Sequence, residues 1–116
     1  TNLCNADMVG HTSNVSAAIK GVETIDRALK IIVEQAKQHG YTVIITADHG
    51  NAEEMRDKET GANLSAHTTN LVPFILVSSK YSKLAHSIGS LVDVAPTVLK
   101  VMGITIPSDM TGQSFV

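Results

Sequence analysis

"YTVIITADHGN", Tyr41 to Asn51, is the stretch whose reading decides the fold. Its core, "TVIITA" (Thr42 to Ala47), is β-branched and apolar on both faces, the composition of a strand buried in a parallel sheet. It runs directly into an adjacent acid and imidazole, Asp48 and His49, followed by Gly50. A polar turn accounts for that composition, since Asp, Gly and Asn are common where chains reverse. A metal site accounts for it too, because ligands of open α/β sheets bind beyond the carboxyl ends of the strands. The flanking sequence has to separate the two readings.

Upstream, apolar residues from Val15 to Ala36 recur at spacings of three and four, which predicts an amphipathic helix over 15–36. Glu23 with Arg27, and Asp26 with Lys30, are acid-before-base pairs on its wet face. Ser13 or Asn14 can cap its start, and Gly40 supplies a left-handed residue to end it. Downstream, "LVPFILVSS" (Leu71 to Ser79) reads as a second buried strand, with Pro73 suited to its beginning. The polar, aperiodic run from Gly50 to Ala66 predicts a long loop, a kind that is often functional. "DVAPTVLKVMG" predicts a second helix, with Asp93 as N-cap, Pro96 in the first turn and Gly103 at the stop. The order helix, strand, loop, strand, helix is α/β, and residues 1–116 are expected to form a single domain.

A net charge of -2 over 116 residues gives no electrostatic case for a nucleic-acid partner. No run of about 18 apolar residues is present to span a membrane, and the amino terminus lacks the apolar core of a signal peptide. The single cysteine, Cys4, excludes an internal disulfide and reads as a small apolar residue. The chain starts without Met and reaches chemically loaded residues at once, so a fragment of a longer protein is expected.

Those residues come from three segments. "DMVGHT" places Asp7 and His11 four apart, on one face if the segment makes a helical turn. "TADHGN" supplies Asp48 and His49, and "SAHTTN" supplies His67 just before the second strand. Alone, an Asp-x-x-x-His reads as a solvated helix start, and a lone His67 carries little. Together, carboxylates and imidazoles at three element ends favour a metal site, and the mixture suits Mn²⁺, Zn²⁺ or Fe²⁺. Two histidines stay outside it: His39 in the last turn of the long helix, where it suits the dipole, and His86 in an exposed "KLAHSIG" stretch.

"NADMVGHTSN", "ITADHGNAEEM", "AHTTNLVPFILV" and "LVDVAPTVLKVMGITIPSDMTGQSF" together resemble the C-terminal stretch of cofactor-independent phosphoglycerate mutases, of the alkaline phosphatase superfamily. The resemblance runs from Asn2 to Val116, in the family's order and spacing. Phosphopentomutase, a cousin, carries Trp-Gly-His-Arg where this chain has Val9-Gly10-His11-Thr12. Departures are small: Ser13 stands where Gly is usual, and Asn5-Ala6 where Asn-Pro is common.

The resemblance implies part of a three-layer α/β/α phosphatase-like domain with a mostly parallel sheet. It implies two divalent ions, Mn²⁺ foremost with Mg²⁺, Co²⁺ and Zn²⁺ as alternatives. Asp7, His11 and His67 would hold the first, and Asp48 and His49 would help hold the second. In the family the second ion also takes a nucleophilic Ser and another Asp, neither of which has a counterpart here, so no catalytic residue is assigned in this chain. The implied parent is a cytoplasmic glycolytic isomerase acting on phosphoglycerate, and this chain alone is expected to be inactive. Another phosphomutase or phosphohydrolase of the superfamily, or a stand-alone metal-binding module, are the alternatives.

Overall fold

In the computed structural model, which describes residues 1–116, two helices open the chain: α1 (Asn5–Gly10) and α2 (Val15–Gln38). α2 is the predicted amphipathic helix, extended two residues beyond Ala36. Asn14 caps it, its side-chain oxygen accepting from the Ala17 N–H at 3.1 Å. Gly40, at φ 72°, ends it, with the Tyr41 N–H returning to the Ala36 carbonyl. His39 therefore lies just past the last turn rather than in it.

The bend between the helices explains the departure at residue 13. Ser13 sits at φ 53°, in the left-handed region that favours glycine. Its hydroxyl donates to the Leu64 carbonyl at 2.8 Å, an anchor that a glycine would lack. Against α2, Gly21 leaves room for Val9 of α1. Cys4 precedes α1 and is exposed, its thiol directed at the Met8 sulfur rather than packed as a small apolar residue.

Contacts group the chain into two compact units: Thr1–Gln35 with Thr46–Pro73, and Ala36–Ile45 with Phe74–Val116. In the first, the predicted long loop is tied back on itself. Gly50 pairs with Thr68 and Arg56 with Asn63, both antiparallel. The Asp57 carboxylate accepts from the backbone of Glu59 and Thr60 at the tip, and Met55 is buried.

The strands, β1 (Val43–Thr46) and β2 (Phe74–Val77), are neighbours and, Thr46 apart, belong to the second unit. Both are shorter than predicted. The Thr42 hydroxyl, before β1, meets the Ser78 hydroxyl, after β2, at 3.3 Å, so the two run antiparallel. No helix lies between them to make a parallel crossover, and a mostly parallel sheet can carry one such pair. Their faces are half-covered rather than buried, with Ile75 47% exposed.

A 3₁₀ turn, Leu91–Asp93, leads into α3 (Val94–Met102), which Gly103 ends at φ 72° as expected. Asp93 holds the N-cap position, yet its carboxylate does not cap α3. It accepts instead from the Ser90 N–H and the Gln113 N–H, each at 2.7 Å, binding the tail to the turn. Thr97, fully buried, donates to the Asp93 carbonyl and accepts from the Phe115 N–H at 2.9 Å. Phe115 stacks on Phe74, and His86 lies against it at 4.5 Å, half-buried rather than exposed. No helix is long and apolar enough to cross a membrane.

Thr97→Val should destabilise the fold by about 1–3 kcal/mol in urea unfolding, because the buried Phe115 N–H loses its acceptor. The Asp93 carboxyl is held below its ordinary 3.8, chiefly by the Ser90 and then the Gln113 N–H. Its stabilisation is therefore complete above pH 3.8 and is lost as pH falls through the lower folded value. Acid titration of Asp93→Asn should show a shallower loss of stability below that pH than the natural chain.

Candidate metal centre

Three segments of the first unit bring their polar ends together. α1 carries Asp7, and His11 follows at its C-cap, so one helical turn does put both on the same side. Asp7 Oδ1 stands 3.4 Å from His11 Nε2 and 3.4 Å from His67 Nε2, and the two Nε2 atoms are 3.2 Å apart. Donors bonded to one divalent ion at about 2.0–2.2 Å stand roughly 2.8–3.6 Å apart, for octahedral or tetrahedral angles. The triangle Asp7, His11, His67 therefore has the edges of one ion's ligand set.

His49 joins the cluster. Its ring stacks on that of His67 with centroids 3.5 Å apart, and Asp7, His49 and His67 can each place a ligand atom within 4.8 Å of the others. Asp48 stands at the rim: its side chain is 87% exposed, with His49 Nε2 at 3.6 Å. Of the five residues singled out in the sequence, four converge and Asp48 faces solvent beside them.

Hydrogen bonds to the backbone set which nitrogen of two imidazoles is free. His11 Nδ1 donates to the Ser65 carbonyl at 2.7 Å, and His49 Nδ1 to the Gly50 carbonyl at 3.3 Å. Each bond places the ring proton on Nδ1 and leaves the Nε2 lone pair for a cation, the arrangement metal-ligating histidines adopt. Two nitrogen lone pairs 3.2 Å apart repel, so a proton or a cation must lie between His11 and His67. This donor set, one carboxylate and imidazoles, fits a divalent transition ion.

Asn51 organises the carboxylate. Its side chain is buried and its amide donates to Asp7 Oδ1 at 2.8 Å, across 44 residues of sequence. That bond holds the Asp7 carboxyl below its ordinary range; partial burial opposes it, and His11, His49 and His67 add smaller pulls in the same direction. The contact needs Gly10, because a Cβ there would collide with the Asn51 side-chain oxygen. In the sequence alone, Asn51 reads only as a turn residue. Its position two residues beyond His49 was the available signal.

The profile of the metalloenzyme superfamily matches residues 1–106. The chain is 52% identical to the 2,3-bisphosphoglycerate-independent phosphoglycerate mutase of Thiobacillus denitrificans over 97% of its own length and 22% of the relative's. With the enzyme of the same name from Moorella thermoacetica, identity is 49% over 99% of the chain and again 22% of the relative. The fold is similar to the crystal structure of Leishmania mexicana phosphoglycerate mutase at low cobalt concentration, with TM-score 0.83 and 30% identity. That match covers 97% of this chain and 23% of the solved one, and it bears out the α/β fold class read from the sequence. The chain thus spans about a fifth of the length of the relatives it matches.

Asn51→Ala should raise the Asp7 carboxyl titration toward its ordinary value, since the largest influence lowering it is removed. Carboxyl-carbon NMR titration of metal-free protein reads this directly, and an unmoved Asp7 would contradict the assigned hydrogen bond.

Proposed function

The chain belongs to the metalloenzyme superfamily, and from that premise we propose that it supplies metal ligands to a phosphoglycerate mutase. That enzyme interconverts 3-phosphoglycerate and 2-phosphoglycerate without a bisphosphoglycerate cofactor, through a phosphoserine. The observation that carries the reading is the convergence of Asp7, His11 and His67 at 3.2–3.4 Å, with the His11 proton placed on its far nitrogen. The mutases from Thiobacillus denitrificans and Moorella thermoacetica support the choice of reaction.

Asp7, His11 and His67 would hold one ion, while His49 and the exposed Asp48 would contribute to a second. Mn²⁺ is the ion the family resemblance implies, and the mixed carboxylate and imidazole set accommodates it as it would Zn²⁺ or Fe²⁺. A bound divalent ion supplies charge that stabilises phosphoryl oxygens during transfer. This chain's own work is preparatory. Asn51 keeps Asp7 ionised and aimed, and the Ser65 carbonyl fixes the His11 tautomer. The nucleophilic serine implied by the family resemblance matches no residue among these 116, so the chain by itself turns over no phosphoglycerate. A glycolytic reaction of this kind places the parent in the cytoplasm.

Titration calorimetry with Mn²⁺ tests the reading. His11→Ala should weaken binding by more than about tenfold, whereas His39→Ala should leave it unchanged. Protons compete for imidazole ligands, so affinity should fall between about pH 7.5 and about pH 5.5. Equal affinity at both, or indifference to His11→Ala, would exclude histidine ligation.

A further inference from the structure

Beside the imidazole cluster, in the same unit, lies a second polar assembly. Glu53 Oε2 accepts from the Asn51 N–H at 2.7 Å. Its other oxygen accepts from the Thr68 hydroxyl and, at 3.0 Å, from the Asn70 amide. Asn70 also donates to Glu54 at 2.9 Å, and the Thr68 N–H donates to the Gly50 carbonyl at 2.8 Å. A side chain at Gly50 would collide with both the Thr68 hydroxyl and the Glu53 carboxylate. The Glu53 carboxyl is pulled down to about 2, first by the Thr68 hydroxyl, against a smaller opposing effect of burial.

The two oxygens of this one carboxylate grip two different segments. One segment is the turn that follows Asp48 and His49, and it includes Asn51, the residue that holds Asp7. The other begins at Thr68, bonded covalently to His67. That second grip matters because His67 is the ligand with least support. His11 and His49 each rest Nδ1 on a backbone carbonyl, whereas the His67 ring, 47% exposed, has its stack on His49 and its Nε2 contacts inside the cluster. Its direction is thus set by its backbone, and Thr68 is where that backbone is fastened.

We propose that Glu53 is a positioning residue: its carboxylate clamps the His67 segment to the Asp48–Asn51 turn and so holds His67 Nε2 against Asp7 and His11. This rests on the metal-centre reading above. A carboxylate is required because the donors of Asn51, Thr68 and Asn70 converge on it, and an amide would turn a donor toward one of them. Indirect support of a ligand is worth about 10–100-fold in metal affinity when removed.

Co²⁺ titration of the full chain, followed by visible absorption, tests the proposal in four proteins: the natural chain, Glu53→Gln, His67→Ala and the double variant. Glu53→Gln should weaken Co²⁺ binding about tenfold in the natural background and cause no further loss when His67 is already Ala. In metal-free protein the Thr68 amide should exchange faster in Glu53→Gln, a readout independent of metal. A fifth protein, Thr68→Val, cuts the same clamp from its other side and should reproduce the affinity loss, which covers the case of a poorly folded Glu53 variant. Unchanged Co²⁺ affinity in Glu53→Gln, or an equal loss in the His67→Ala background, overturns the proposal while leaving the metal centre standing. A natural chain that binds no Co²⁺, or binds it regardless of His67→Ala, overturns both.

Discussion

The Asn51 amide, donating to Asp7 at 2.8 Å, is the interaction on which the rest of the site depends. It joins the first helix to the turn after β1, and it does so from a buried position where an unpaired amide would be costly. Its reach is possible because Gly10 leaves the space that a methyl would fill. The same residue's backbone N–H is taken by Glu53, so side chain and main chain of Asn51 face opposite partners. Asp7 is thereby kept ionised and fixed in direction before any cation arrives.

Around that fixed carboxylate the imidazoles are sorted by their outer hydrogen bonds. A histidine can present either nitrogen, and the carbonyls of Ser65 and Gly50 make the choice for His11 and His49. The Nε2 atoms of His11 and His67 lie 3.2 Å apart, joined by a proton whose place a divalent ion would take. Rigid support of this kind raises affinity by reducing the ordering cost of binding. The ligands come from distant points in the chain, and two are held by partners just as distant: His11 by the Ser65 carbonyl and Asp7 by the Asn51 amide.

Much of this was legible in the sequence because it is locally encoded. The long stripe of α2, its Asn14 cap and the glycines at 40 and 103 all act within a few residues of themselves. Asp7 and His11 were legible as a pair because their spacing matches one helical turn. What escaped depends on partners far away. The pairing of Gly50 with Thr68 turned a supposed open loop into a tied one. Asp93 looked like a helix cap, but the Gln113 N–H, 20 residues on, was a better partner. His86 sits in a polar stretch, and only the position of Phe115 gives its ring something to pack against. Ser13 shows the converse, a residue whose backbone conformation favours glycine but whose hydroxyl finds a carbonyl 51 residues away.

The most direct test of the central claim is anomalous diffraction from crystals of the chain soaked in Mn²⁺, recorded at the manganese edge. The expected result is a peak within bonding distance, about 2.0–2.2 Å, of Asp7 Oδ1, His11 Nε2 and His67 Nε2 together. A peak elsewhere on the chain, or manganese held by water and carboxylate oxygens with both imidazoles turned away, would contradict it.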